Sequence, residues 1–201
     1  MKLYCFPVAP NPTRVMVFCR EKHIPLEEVT VHIGEGQHKA PEHLARNPRG
    51  TLPVLELDDG SYISESLPIM EYLEECHPEP NMIGDTPQRR LQVRALERQA
   101  EFSILQPIAR FVHATNSPTG QPANPGVAEV ASEAISLGYQ RMDTVLAETA
   151  FLAGKQPTVA DCTLFAGLFF GEFFGVQLPD EYSHLRRWYE AFKQRPSTQL
   201  M

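Results

Sequence analysis

Glu65 and Ser66 stand together just ahead of the apolar positions Ile69, Met70 and Leu73. That spacing predicts a helix opening at Ser64-Glu65-Ser66, with Pro68 tolerated in its first turn. The free N–H groups of a helix start can hold a carboxylate, and a serine hydroxyl adds one more donor. Glu65 beside them can receive an ammonium group. Anion donors and a carboxylate in adjacent residues suit the α-amino acid end of a small molecule, although the same residues also read as an ordinary N-cap. Upstream, Pro53 enters the short apolar run Leu52-Pro53-Val54-Leu55. Proline cannot donate to a ladder, so it belongs at a strand's start or edge. Such a proline beside a polar helix start is a candidate for a cis bond that exposes backbone to a ligand, but spacing alone does not set its isomer.

These residues need a scaffold. Lys2 to Phe6 reads as a strand, the rigid loop Val8-Ala9-Pro10 follows, and Asn11-Pro12 signals a helix start with Asn11 as cap. Arg14 to Lys22 is expected helical, and Leu26 to Val31 a second strand, so a right-handed parallel crossover joins the two. Pro41-Glu42 starts a short helix. Two strands around the turn Asp58-Asp59-Gly60 then lead into the helix at Ser66. The fold class is therefore α/β plus all-α. Residues 1–76 form the α/β unit, 77–84 a linker broken by His77-Pro78-Glu79-Pro80, and 85–201 a helical unit. Thr86-Pro87 opens a long helix carrying Phe102, Leu105, Ala109 and Val112 at helical spacing. Residues 115–126 are a loop, and Val127 to Thr149 a second long helix. Thr158 and Asp161 have capping-box spacing ahead of an apolar helix, Cys162 to Phe174. Leu185 to Lys193 closes the series.

Composition narrows the function classes. The formal charge of −7, with no Lys/Arg cluster to offset it, argues against a nucleic-acid partner. The most apolar stretch, Val159 to Val176, contains Asp161 and Glu172 and is too short to cross a bilayer, so no membrane partner is expected. Met1-Lys2-Leu3 runs straight into a strand without a cleavage site, and the four cysteines are scattered without metal or C-x-x-C spacing. A cytoplasmic protein with reduced thiols and no metal is the expectation.

Four segments in order carry a resemblance over essentially the whole chain: Asn47 to Leu55, Ile63 to Leu73, Thr158 to Phe165, and Arg195-Pro196-Ser197. With them the chain resembles the cytosolic glutathione S-transferases, in particular bacterial theta/nu-like members. The resemblance implies a thioredoxin-like N-terminal domain, a helical-bundle domain, glutathione as co-substrate, and a homodimer used in detoxification. It further implies that Pro53 is cis and that the backbone of Leu52 pairs with the cysteinyl part of glutathione like an added strand. Glu65 and Ser66 would hold the γ-glutamyl ammonium and carboxylate. His38, with Gln37 or Lys39 as alternates, would lie near the glycine carboxylate. Thr158 and Asp161 would be structural.

One position departs from the family. The thiolate is the attacking species, and a Ser, Tyr or Cys donor after the first strand usually stabilises it. Here the position is Ala9, which has no donor. Asn11 is the best remaining side chain, with helix capping as its alternative role; Thr13 and the backbone N–H groups of the helix start are further options. Cys5 falls inside the strand and reads as packing, as do the other cysteines. His113 and the group Phe169, Phe170, Phe173 and Phe174 read as core, and His32 and His43 as surface. An apolar acceptor pocket is expected between the Val8–Pro10 loop and the inner faces of the first long helix and the late one, with Pro10, Phe102, Gln106 and Phe111 as candidates. The leading expectation is an enzyme that attacks an apolar electrophile with glutathione, or reduces disulfides or peroxides with it. The alternative is a transferase-like binding module without catalysis, which Ala9 favours and the retained Glu65, Ser66 and Pro53 oppose.

Overall fold

Ala9 and Pro10 set where the first helix begins. In the computed structural model, which describes residues 1–200, strand β1 (Lys2–Cys5) leads into helix α1 (Pro10–Glu21). Pro10 takes the first helical position because its ring already holds a helical φ, so Ala9 is the N-cap and makes no side-chain cap bond. Asn11 was expected to cap this helix; it lies inside the first turn, and its side-chain oxygen instead accepts from Arg14 at 2.8 Å.

Strand β2 (Glu27–Thr30) pairs parallel with β1, while β3 (Val54–Glu56) and β4 (Tyr62–Ser64) add antiparallel, giving the order β2-β1-β3-β4. Between β2 and β3 lie a 3₁₀ turn (Gln37–Lys39) and the short helix α2 (Pro41–Arg46). Helix α3 (Ser66–Cys76) follows β4 directly. Val15, Phe18, Leu55, Ile69 and Leu73 bury together between sheet and helices. The same apolar cluster continues through Ile104, Ile108, Phe165 and Trp188, so the two halves share one core.

The connection after α3 is anchored. Lys22, whose side chain is fully buried, pairs with Glu74 at 2.7 Å and donates to the Pro80 carbonyl at 2.5 Å. Glu74 in turn accepts the Met82 and Ile83 N–H groups. A buried charge pair keeps its geometry only when its remaining hydrogen-bonding capacity is met, and here the connecting backbone meets part of it.

Helix α4 (Pro87–Ala100) starts where Thr86 accepts from the Arg89 N–H. One continuous helix was expected from there past Val112. Instead a wide π turn (Glu101–Leu105) separates α4 from α5 (Gln106–Thr115). Pro107 explains it: without an N–H it cannot bond the Ser103 carbonyl one turn back, and helices bulge at such points. The freed Ser103 carbonyl faces Gly138 of α6 (Pro125–Leu146) so closely that a β-carbon there would run into it. On the other side, a β-carbon at Gly167 of α7 (Val159–Phe173) would come within 2.9 Å of Leu105 Cα. Helix α8 (Ser183–Lys193) packs Leu185, Trp188 and Phe192 into the core. Buried Asp161 takes the Leu152 and Thr158 N–H groups, each at 2.9 Å, which is the expected capping role.

Candidate functional site

Three chain segments meet around the N-termini of α1 and α3. Glu65 caps α3 with φ 73° and ψ 122°, a conformation few non-glycine residues adopt. Its carboxylate, half exposed, pairs with Arg49 at 2.9 Å. Ser66 is 2% exposed. Its hydroxyl accepts from Arg14 Nε at 2.8 Å and donates to Asn11 Oδ1 at 3.2 Å. The N–H groups of Ser66 and Leu67 are further donors for an incoming anion, since the first turn of a helix has no intrahelical acceptors for them.

The Leu52–Pro53 bond is cis. The turn before it is held from below: Asn47 Nδ2 and His43 Nε2 both reach the Thr51 carbonyl, at 3.0 and 3.1 Å. His43 was expected at the surface; it is 2% exposed because this carbonyl needs its ring. Lys39 Nζ donates to the carbonyls of Arg49 and Gly50, at 3.1 and 3.3 Å. Gly50 has φ 61°, and a β-carbon on it would lie 2.7 Å from the His38 carbonyl. Among the three candidates for the glycine carboxylate, Lys39 is thus occupied by its own loop, and Gln37 bonds Glu35 and the His32 N–H. His38 Nδ1 is buried without a hydrogen-bond partner, and desolvation of the ring, with the charges of Lys39 and His43, lowers its pKa.

At the start of α1, Pro10 and Pro12 lack N–H groups and the Thr13 N–H bonds the Ala9 carbonyl at 3.0 Å. The Asn11 N–H is therefore the backbone donor that remains there. Thr13, an expected donor to sulfur, is fully buried and gives its hydroxyl to the Pro7 carbonyl at 2.6 Å. Cys5 and Cys19 are packing residues whose thiols burial, followed by the Glu28 charge, pushes up to about 12. Cys162 is buried as well, whereas Cys76, expected in the core, is exposed.

Beside Ala9 and Pro10 opens a cavity of about 240 Å³. Phe6, Val8, Ile33, Ala109, Phe170 and Phe174 give it apolar walls, and His113, Pro118 and Thr119 close one side. It lies where the acceptor pocket was expected and includes Pro10, but Phe102, Gln106 and Phe111 do not line it. The π turn takes Phe102 off the helical stripe that continues through Ala109 and His113. Phe102 is 58% exposed, with Arg98 over its ring, and Gln106 donates to Glu101. Phe170 is buried in the core as expected, with Phe169 and Phe174 packed against it, and Phe170 and Phe174 also wall the cavity; His113, expected in the core, faces the cavity, and Phe173 is largely exposed. His113 Nδ1 lies 3.0 Å from the Ser117 hydroxyl, and burial lowers its pKa. A larger crevice of about 400 Å³ lies at the far end of α1, where Glu21 and Arg195 neutralise each other.

Beneath the site runs a network absent from the sequence-based expectations. Arg14 is 5% exposed and reaches Glu97 at 3.1 Å and Glu101 at 2.7 Å as well as Asn11 and Ser66. Glu97 also accepts from Thr163 and pairs with Arg98. Burial pushes the Glu101 carboxyl up, yet the charges of Arg14 and Arg98 outweigh it and hold the group below its ordinary range. The signal for this network was Arg14 itself, a charge set between Thr13 and Val15 on a helix buried along both.

The family described as glutathione S-transferase, N-terminal domain, matches residues 8–76, and the family described as glutathione S-transferase, C-terminal domain, matches residues 109–196. Glutathione S-transferase 2 of Saccharomyces cerevisiae is 34% identical over 211 aligned residues, covering 100% of this chain and 89% of that protein. The crystal structure of Gtt2 from Saccharomyces cerevisiae superposes with a TM-score of 0.93 at 35% identity, each chain covered fully. A glutathione S-transferase domain-containing protein of Marinobacter aquaeolei VT8 gives a TM-score of 0.90 at 33% identity, covering 99% of this chain and 100% of the other.

Proposed function

The chain belongs to the glutathione S-transferase family and is a transferase, and from that premise we propose that it joins glutathione to an uncharged, apolar electrophile. The observation that carries this reading is the cavity: apolar walls meet the α1 N-terminus on one side and a single titratable side chain, His113, on the other. No lysine or arginine lines it, which favours a neutral acceptor over an anionic one.

In this reading glutathione lies along the Leu52–Pro53 backbone. Its γ-glutamyl head sits at Glu65 and the α3 N-terminus, and its glycine end points toward His38. The thiol then reaches the α1 start. Ala9 supplies nothing, so the thiolate is stabilised by the Asn11 N–H, by the amide of its side chain and by the positive end of the helix. Its proton goes to His113, which burial keeps neutral and hence able to accept it, with Ser117 orienting the ring. The thiolate attacks the electrophile across the cavity.

The homodimer is also part of the proposal. Leu91 on α4, Phe102 on the π turn and Leu137 on α6 are more than half exposed, the kind of apolar surface that a partner covers. Light scattering of the purified protein tests it. Among the described residues no helix is long and apolar enough to cross a membrane, and the four free cysteines suit a reducing compartment, here the cytoplasm.

The test of function is the thiolate absorbance of bound glutathione against pH, followed by conjugation assays with neutral aryl electrophiles. A thiol pKa lowered on the enzyme, with turnover, supports the reading. Binding without thiolate formation supports the non-catalytic module that Ala9 suggested, and failure to bind at millimolar glutathione ends the enzyme reading and leaves a scaffold with a vestigial site.

A further inference from the structure

We infer that His43 is a positioning residue: from the inner side of α2 it aims the Thr51–Leu52 peptide unit, so that the Leu52 N–H is held ready without His43 touching a ligand. The inference rests on the proposed function and adds to it a side chain beneath the site. His43 is 2% exposed, and its Nε2 lies 3.1 Å from the Thr51 carbonyl oxygen. A carbonyl only accepts, so Nε2 carries the proton of that bond. Asn47 Nδ2 reaches the same oxygen at 3.0 Å and the Thr51 hydroxyl at 2.8 Å. Both donors come from one turn of chain, since the Asn47 N–H bonds the His43 carbonyl at 2.9 Å. The Thr51 oxygen is thus gripped from two sides.

The grip fixes more than the oxygen. The Thr51–Leu52 peptide is trans and planar, so its N–H points opposite to its carbonyl. With the carbonyl turned in toward α2, the Leu52 N–H is turned away from it, and among the described residues no acceptor meets that N–H. Stability does not account for the imidazole. His43 Nδ1 is buried with no partner, and a buried polar atom left unmatched costs more than one hydrogen bond gains. As packing alone, an apolar ring of similar size would serve better. What histidine adds is the Nε2 donor, and its one recipient is the Thr51 carbonyl.

Two variants separate the donor from the ring. His43→Phe keeps a ring and removes the donor, whereas a glutamine amide places an N–H where Nε2 stands, so His43→Gln should restore it. His43→Phe is expected to raise KM for glutathione about threefold to tenfold, the range of one hydrogen bond. Its kcat at saturating glutathione and its Tm should stay near wild type, and His43→Gln should recover most of the loss in KM. In the ligand-free protein, the Leu52 amide signal in ¹⁵N–¹H spectra should shift in His43→Phe and return in His43→Gln. An unchanged KM in His43→Phe would overturn the inference. So would equal losses in both variants with a lowered Tm, which mark a packing residue only. Wild type that binds no glutathione would remove the underlying reading, and the Leu52 signal of the free protein tells that failure from a failure of His43 to orient the peptide.

Discussion

Arg14 Nε donates to the Ser66 hydroxyl across 2.8 Å, tying the first helix of the sheet domain to the third at the point where both open. The same guanidinium reaches Glu97 and Glu101 on the helical half, so one buried side chain spans the core that both halves share. A charge this enclosed is stable because each nitrogen of its donor fork has a partner.

Removing Arg14 should therefore cost more than a typical surface change. Arg14→Ala leaves Glu97, 1% exposed, with Arg98 as its remaining cation, and is expected to lower unfolding free energy by about 3 kcal/mol. Denaturant midpoints of Arg14→Ala, Glu97→Ala and the double variant check it. The double variant should fall well short of the sum, since the second change removes the orphaned partner.

Glu101 predicts the acid side of the stability curve. Its carboxyl is held below the ordinary 4.5 in the folded protein. The unfolded chain therefore takes up its proton first as pH falls. The stabilisation is complete above the unfolded value and lost as pH drops through the folded one. Glu101→Gln should be about 1 kcal/mol less stable than wild type at pH 7. That gap should close below pH 4.5 in thermal melts. A gap constant with pH would mean that the carboxylate's charge contributes nothing.

Gly138→Ala should be poorly tolerated, because its β-carbon would meet the Ser103 carbonyl that Pro107 leaves free. Overpacking of this kind costs about 1–3 kcal/mol, and here the obstacle is backbone, which yields less than a side chain. Gly34→Ala, with nothing within 4 Å, is the control and should stay within about 0.5 kcal/mol of wild type. Thermal denaturation of the two variants, measured side by side, decides the matter.

His113→Ala is expected to lower kcat/KM by about 10²-fold through loss of the proton acceptor. Burial sets the His113 pKa below 6.5, so the wild-type rate should hold at neutral pH and fall only as pH drops through that lower value. The variant should lose this acid limb. A variant profile that keeps the same limb would assign it to another group. Thiolate absorbance at pH 7 separates loss of ionisation from loss of acceptor binding.

Much of this was legible in one dimension. The strand and helix order of the first 76 residues, the helix start at Ser66, the Thr86-Pro87 opening and the capping box of Thr158 and Asp161 all depend on neighbours a few positions away. Side chains that meet their partner within one turn leave a mark in the sequence. So did the missing donor at Ala9.

What only the folded chain decided is where side chains point. Arg14 meets Glu97 and Glu101 across 83 and 87 residues, a pairing no local pattern encodes. Ser66 was read correctly as a helix start, yet its hydroxyl turned inward because Arg14 and Asn11 arrive there together. Phe102, expected at the pocket, is exposed and His113, expected in the core, lines the cavity, because one wide turn shifts helical register and a single residue rotates a helix face by about 100°. Propensity acts over a turn of chain, whereas the direction of a side chain is set by whatever the other elements pack against it.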